Sequence, residues 1–237
     1  MKVFLIGASG GIGAATARRL AAAGHELVLA GRDAGKLAPL AEELKAAQVA
    51  VEAASFDALD TAVQQFAPIG ALINCAGSLL LKPAHLTSER EFSDTMAASL
   101  STAFSAVRAG AKAMMAEGGS IVLCATAAAR AGFANHEAIL AAKGGVISLA
   151  MSAAATYASR NIRVNCVAPG LVETPLTARI TRNEASLKAS QSMHALGRIG
   201  RPEDVASAIA WLVDPENAWV TGQVLGVDGG LSTLRAR

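Results

Sequence analysis

The chain has 237 residues, 52% of them hydrophobic and 17% charged, with 21 Lys and Arg against 19 Asp and Glu for a net charge of +2. That length accommodates one α/β domain with a full core and no need of staples, and the small charge without a block of one sign argues against a nucleic-acid partner. No stretch approaches the ~18 consecutive apolar residues of a membrane span, and the apolar start ends at Gly7, too early for a secretory leader.

In chain order, a short apolar run at 3–6 is followed by a helical stretch at 11–23, a run at 26–30, a helix at 34–47, and a run at 49–53. A helix at 58–66, a run at 71–74, a long helix at 88–116 and a run at 120–125 continue the alternation. It closes with a helix at 136–158, a run at 162–167, a helix at 202–213 and a run at 223–227. Short continuous apolar strands alternating with helices predict an α/β fold, a doubly wound parallel sheet of about seven strands covered on both faces. Right-handed crossovers place ligands beyond the carboxyl ends of the strands. No linker or repeat interrupts residues 1–237, so a single domain is expected. Cys75, Cys124 and Cys166 are odd in number, far apart and set in apolar runs. They read as buried free thiols of a reducing compartment, with the cytoplasm as the expected location. His25, His85, His136 and His194 show no ligand spacing, so no metal site is expected.

The first strand runs directly into Gly7-Ala8-Ser9-Gly10-Gly11-Ile12-Gly13, with a helix behind it. Glycines let the chain turn sharply and let a pyrophosphate approach the helix N-terminus, where free N–H groups and the dipole attract it. This is the setting of a Rossmann-type dinucleotide site. A carboxylate about 20 residues beyond the glycines would bind the 2′-hydroxyl of NAD. Gly31 stands there instead, followed by Arg32, whose guanidinium can grip a 2′-phosphate. NADP is therefore expected over NAD, against the plainer reading of Arg32 as a solvated loop residue. Asp33 reads as the cap of the next helix.

The GxxxGxG spacing resembles that of the short-chain dehydrogenase/reductase family, and further motifs agree along the chain to about Gly230. Asn74-Cys75-Ala76-Gly77 is similar to the family's NNAG, with Cys75 in place of the second Asn. Arg163-Val164-Asn165 and Pro169-Gly170 followed by Thr174 resemble its RVNxxxPGxxxT segment, and Val227-Asp228-Gly229-Gly230 resembles its C-terminal end. The resemblance implies that Gly7, Ser9, Gly11, Ile12 and Gly13 cradle the pyrophosphate and that Asp57 and Ala58 lie near the adenine. It also sets Asn74, Ala76 and Gly77 along the riboses, and Pro169, Gly170, Val172 and Thr174 around the nicotinamide. Residues 174–196 resemble the family's substrate lid. A homo-oligomer, dimer or tetramer, acting on a small molecule is implied, and the alanine-rich helices would allow close approach across a two-fold axis.

In the family's common pattern a tyrosine precedes an active-site lysine by four residues. The lysine corresponds to Lys143, but Ile139 stands at the tyrosine position. The serine of the pattern becomes Thr126, and its asparagine becomes Ser99. Isoleucine can neither donate a proton nor stabilise an oxyanion. His136 lies at i, Ile139 at i+3 and Lys143 at i+7, one helix face, and an imidazole can supply a proton near neutral pH. Enoyl-acyl-carrier-protein reductases of this family carry YxxMxxxK, and this chain reads HxxIxxxK, although its glycine turn is the common one. The expected function is NADPH-dependent reduction of a carbonyl or a carbonyl-conjugated C=C, using Lys143, Thr126, His136 and Ser99. The alternative is a catalytically inactive NADP-binding sensor or structural protein. Individually, His136 also reads as a water-facing residue at a helix start, Thr126 as a strand-end hydroxyl, and Ser99 as ordinary helix surface.

Overall fold

In the computed structural model, which describes residues 1–234, seven parallel strands form one sheet in the order β3-β2-β1-β4-β5-β6-β7. The strands are β1 (Lys2–Ile6), β2 (Glu26–Gly31), β3 (Ala47–Ala50), β4 (Ala71–Asn74), β5 (Gly119–Cys124), β6 (Ile162–Pro169) and β7 (Val224–Val227). The helices are α1 (Gly11–Ala22), α2 (Ala34–Leu44), α3 (Phe56–Gln64), α4 (Glu89–Met96), α5 (Thr102–Met114), α6 (Glu137–Tyr157), α7 (Ala178–Thr181), α8 (Glu184–Met193) and α9 (Pro202–Val213).

Side chains alternate across the sheet, so each strand feeds two cores. Phe4, Ile6, Val28, Leu72, Ile121 and Val164 face α3, α5 and α6. Val3, Leu5, Leu27, Ile73 and Val122 face α1, α2 and α9. Both faces being covered explains why the strands read as unbroken apolar runs. Full burial of each such side chain contributes about 1.5–3 kcal/mol. Strand order reverses between β1 and β4, which pair in parallel with Ile6 beside Asn74. That switch point opens a crevice at the carboxyl end of the sheet.

Element boundaries shift by up to three residues from the sequence-based ones, and three of the differences bear on the sheet or the site. β3 lies at Ala47–Ala50, ahead of the predicted 49–53, and is largely exposed. As an edge strand it is set by pairing with β2, Val28 beside Ala47 through Gly31 beside Ala50, and its hydrophobicity is no guide. The helix predicted at 88–116 is broken by a π-helical turn, Ala97–Ser101, between α4 and α5. α6 begins at Glu137, and His136 is its N-cap, with φ −116°.

The stretch Glu137–Arg160 is long and apolar enough to cross a membrane by length and composition. Lys143 interrupts its apolar run, which is why sequence reading passes over it. In the fold it is docked on the sheet, burying Ile139, Ala142, Val146, Ala150 and Ala153.

Candidate active site at the carboxyl end of the sheet

The glycine turn is held shut by the backbone beneath it. Gly7 has φ +77°, and a Cβ on it would sit 2.6 Å from the Ala76 nitrogen. Only glycine suits that conformation and that approach. A Cβ on Gly13 would lie 2.2 Å from the Gly7 carbonyl oxygen, so the first turn of α1 packs onto the loop it leaves. Gly10 caps α1 without a side-chain bond, and the first turn carries no carboxylate. The N–H groups of Gly11, Ile12 and Gly13, in the first turn, have no intrahelical acceptor. Ser9 is exposed beside them.

Across the crevice, Asn74 is buried and its Oδ1 accepts from the Ala76 N–H at 3.0 Å, which shapes the 74–77 turn. Gly77 lies over Lys143: a Cβ there would meet its Nζ at 3.0 Å and the Ser99 Oγ at 3.9 Å. The other wall is Pro169–Gly170–Leu171–Val172. Thr174 packs against the start of α1, since a Cβ on Gly11 would meet its Cγ2 at 2.7 Å. Arg32 is exposed at the end of β2. Asp33 caps α2 by accepting from the Lys36 N–H, as expected. Asp57 lies in the first turn of α3 with its side chain 98% exposed, 4.0 Å from Arg108. Ala58 is half-buried against the core.

Lys143 is buried, and its Nζ donates to the Cys124 carbonyl at 2.7 Å. Burial pushes its ammonium below the ordinary lysine range. The Ser99 hydroxyl, on the π-helical turn, is buried without a hydrogen-bond partner among the described residues. π-Helical turns are frequent where a helix must re-aim a functional side chain. Thr126, at the end of β5, accepts from the Ala128 N–H at 3.3 Å. Its hydroxyl donates only a long bond, 3.4 Å, to the Pro169 carbonyl.

His136 Nδ1 is 2.7 Å from the Ala134 carbonyl. A carbonyl only accepts, so Nδ1 carries the proton and Nε2 of the neutral ring is an acceptor. This sharpens the sequence reading: the neutral imidazole offers a base at Nε2, and only the protonated ring can donate from there.

Lys143, Thr126 and His136 line one cavity of about 400 Å³, together with Ile12, Ala76, Gly77, Ile139, Gly170, Val172 and Thr174. Tyr157 is the single tyrosine of the chain; it ends α6 and packs on the core, away from the cavity. A family model described as enoyl-(acyl carrier protein) reductase matches residues 7–232. The chain belongs to the short-chain dehydrogenase/reductase family. It is 35% identical over 235 residues to galactitol 2-dehydrogenase (L-tagatose-forming) of Cereibacter sphaeroides, covering 94% of this chain and 92% of the relative. It is 33% identical to a 3-oxoacyl-[acyl-carrier-protein] reductase of Thermotoga maritima, covering 97% of each. Its fold matches a short-chain dehydrogenase/reductase from Mycobacterium ulcerans with TM-score 0.93 and 27% identity, over 99% of this chain and 90% of that one. An aldohexose dehydrogenase of Thermoplasma acidophilum matches with TM-score 0.90 and 27% identity, over 100% and 95%.

Members of the short-chain dehydrogenase/reductase family are oxidoreductases that bind a nicotinamide cofactor. The crevice fits such a dinucleotide: the helix N-terminus at one wall is uncapped and free of carboxylates, and the orphaned Ser99 hydroxyl and the Lys143 ammonium lie together beside Gly77.

Much of the remaining cavity wall escapes sequence reading. Residues 175–193 of this short-chain dehydrogenase/reductase form a short 3-10 turn, α7 and α8, which set Leu176, Ile180 and Met193 over the cavity. Leu79, Leu81, Phe133 and Leu140 complete an apolar lining. His194, buried at the end of α8, donates from Nδ1 to the Ser190 carbonyl at 2.6 Å and accepts at Nε2 from the Leu171 N–H at 3.2 Å. It fastens the cover to the 170–174 wall, and nothing in its sequence setting announces this. The RVN motif is structural: Asn165 donates to the Val220 carbonyl and accepts from the Gln223 N–H, fixing the approach to β7.

Proposed function

We propose that the protein is an NADP(H)-dependent oxidoreductase that reduces a carbonyl, or a C=C conjugated to one, with His136 in place of the family's tyrosine. The observation that carries this is the convergence of His136, Ile139, Lys143 and Thr126 on one cavity, opposite a glycine turn suited to a dinucleotide. When bound, the nicotinamide supplies the hydride. Gly11, Ile12 and Gly13 bind the pyrophosphate through their N–H groups, and Lys143 holds the nicotinamide ribose hydroxyls. Arg32 selects a 2′-phosphate, because Gly31 offers no carboxylate to repel it. Thr126 donates to the substrate oxygen, and protonated His136 delivers a proton from Nε2. In the oxidative direction neutral His136 takes the proton at the same atom. The apolar wall and cover point to a substrate whose body is largely apolar.

The same reading extends to a homo-oligomer, dimer or tetramer. Phe104 on α5 is 48% exposed and stacks on exposed Phe56, while Trp211 and Trp219 lie exposed near the β7 edge. Large apolar groups presented on two faces support two interfaces.

A second reading, an inactive NADP-binding sensor or structural partner, draws on Ile139 at the tyrosine position. Fluorescence titration with NADPH and NADH, followed by a panel of ketones, aldehydes and enoyl thioesters, separates the two. Tighter binding of NADPH is expected, weakened by about 10–100-fold in Arg32→Glu, the worth of one charge-assisted contact. Stronger binding of NADH would defeat the Arg32 assignment. Tight NADPH binding without oxidation by any panel member would favour the sensor.

A further inference from the structure

Cys75 and Cys124, 49 positions apart in the chain, meet in space with their sulfurs 3.7 Å apart. Cys75 directly follows β4 and Cys124 ends β5. The pairing of Asn74 with Leu123 makes them the next rung of that parallel ladder. Adjacent strands lie about 4.7–4.9 Å apart, inside the Cα separation of roughly 4.4–6.8 Å that a disulfide needs. Both side chains project to the α1 side of the sheet, and both line the cavity, so a small solute reaches them. Cys166, on the neighbouring strand β6, is fully buried on the opposite face. Burial pushes its thiol up to about 12.

The two thiols of the pair are not equivalent. The hydrogen bond to Cys75 lowers the Cys124 thiol, and the Lys143 ammonium nearby assists against burial. The same bond, with burial, raises Cys75 well above the ordinary thiol range. Nucleophilic attack comes from the thiolate, and the Lys143 ammonium, which donates to the Cys124 carbonyl at 2.7 Å, favours one on Cys124.

We propose that Cys75 and Cys124 form a peroxide-oxidisable dithiol that closes to an intramolecular disulfide in the wall of the cavity. The Cys124 thiolate attacks a hydroperoxide, the O–O bond breaks, and with one proton the products are the Cys124 sulfenic acid and an alcohol or water. The Cys75 sulfur then attacks the Cys124 sulfur; the S–S bond forms, the S–O bond breaks, and the Cys75 proton leaves with the hydroxyl as water. Two thiols lose two electrons and the peroxide gains them. Closure brings the sulfurs from 3.7 Å to about 2.05 Å, a movement available to rotation about the two Cα–Cβ bonds. A dithiol reductant reverses the step by thiol–disulfide exchange.

The test treats the wild-type protein with hydrogen peroxide, alkylates remaining thiols in denaturant, and maps the peptides by mass spectrometry. The expected product is a Cys75–Cys124 linkage removed by dithiothreitol, with Cys166 alkylated throughout. Cys166→Ser retains the linkage, and Cys75→Ser stops at a dimedone-reactive sulfenic acid on Cys124. Any of three results overturns the proposal: all three thiols free after peroxide, sulfinic acid on Cys124 with Cys75 still free, or linkage between two molecules. Because the decisive reading is on the wild-type chain, poor folding of a variant does not blunt it.

Discussion

Ile139 sits one turn of α6 before Lys143, 3% exposed and in the wall of the cavity. It shares that cavity with the groups a phenol there would use, Lys143 and Thr126. Ile139→Tyr is therefore expected to raise NADPH-dependent reduction of simple carbonyls by about 10²–10³-fold, the worth of one well-placed donor. Initial rates check this; a variant that keeps the wild-type melting temperature and gains nothing contradicts it. This position was legible in the chain because it is defined by spacing from a lysine. The tautomer of His136 was not, because it depends on the Ala134 carbonyl, which only the folded turn brings to Nδ1. The Cys75–Cys124 contact was equally hidden, since strand register, not sequence distance, creates it.

At the scale of the element, α4 carries the clearest dependence on pH. Its N-terminus is a capping box: Ser88 accepts from the Glu91 N–H, and Glu91 accepts from the Ser88 N–H at 2.8 Å. Glu91 also pairs with Lys82 Nζ at 2.8 Å, and Lys82 N–H donates to the Asn135 carbonyl beside His136. The Lys82 ammonium and the Ser88 donors hold the Glu91 carboxyl at about 2. Its folded value is depressed, so its stabilisation is complete above the unfolded value of about 4.3 and disappears as pH falls toward 2. Thermal melts are expected to lose stability across that interval, and Glu91→Gln to show a shallower loss. An unchanged slope in the variant would remove Glu91 as the cause. The start of this helix was predicted within one residue, at 88 against Glu89, and the Ser88–Glu91 capping box that fixes it is a local feature of the chain. Its far end was not: the π-helical turn at Ala97–Ser101 leaves apolar periodicity almost intact, and only the folded chain shows Ser99 turned inward.

For the whole molecule, the parallel sheet and its two covering layers were legible because strands buried on both faces must be apolar throughout, and six of the seven lie within two residues of expectation. The seventh, β3, was displaced because an exposed edge strand carries little apolar signal. The cover over the cavity was the least readable part, being short helices of mixed polarity fixed by His194 and by packing. The fold thus delivers a crevice suited to a nicotinamide cofactor and a largely apolar cavity lined by His136, the residue proposed to exchange the proton. Rates of NADPH oxidation for wild-type and His136→Ala, with NADPH affinity measured in parallel, test that account most directly. It predicts that the variant loses turnover by at least about 10²-fold while NADPH affinity stays nearly unchanged; full activity in His136→Ala would contradict it.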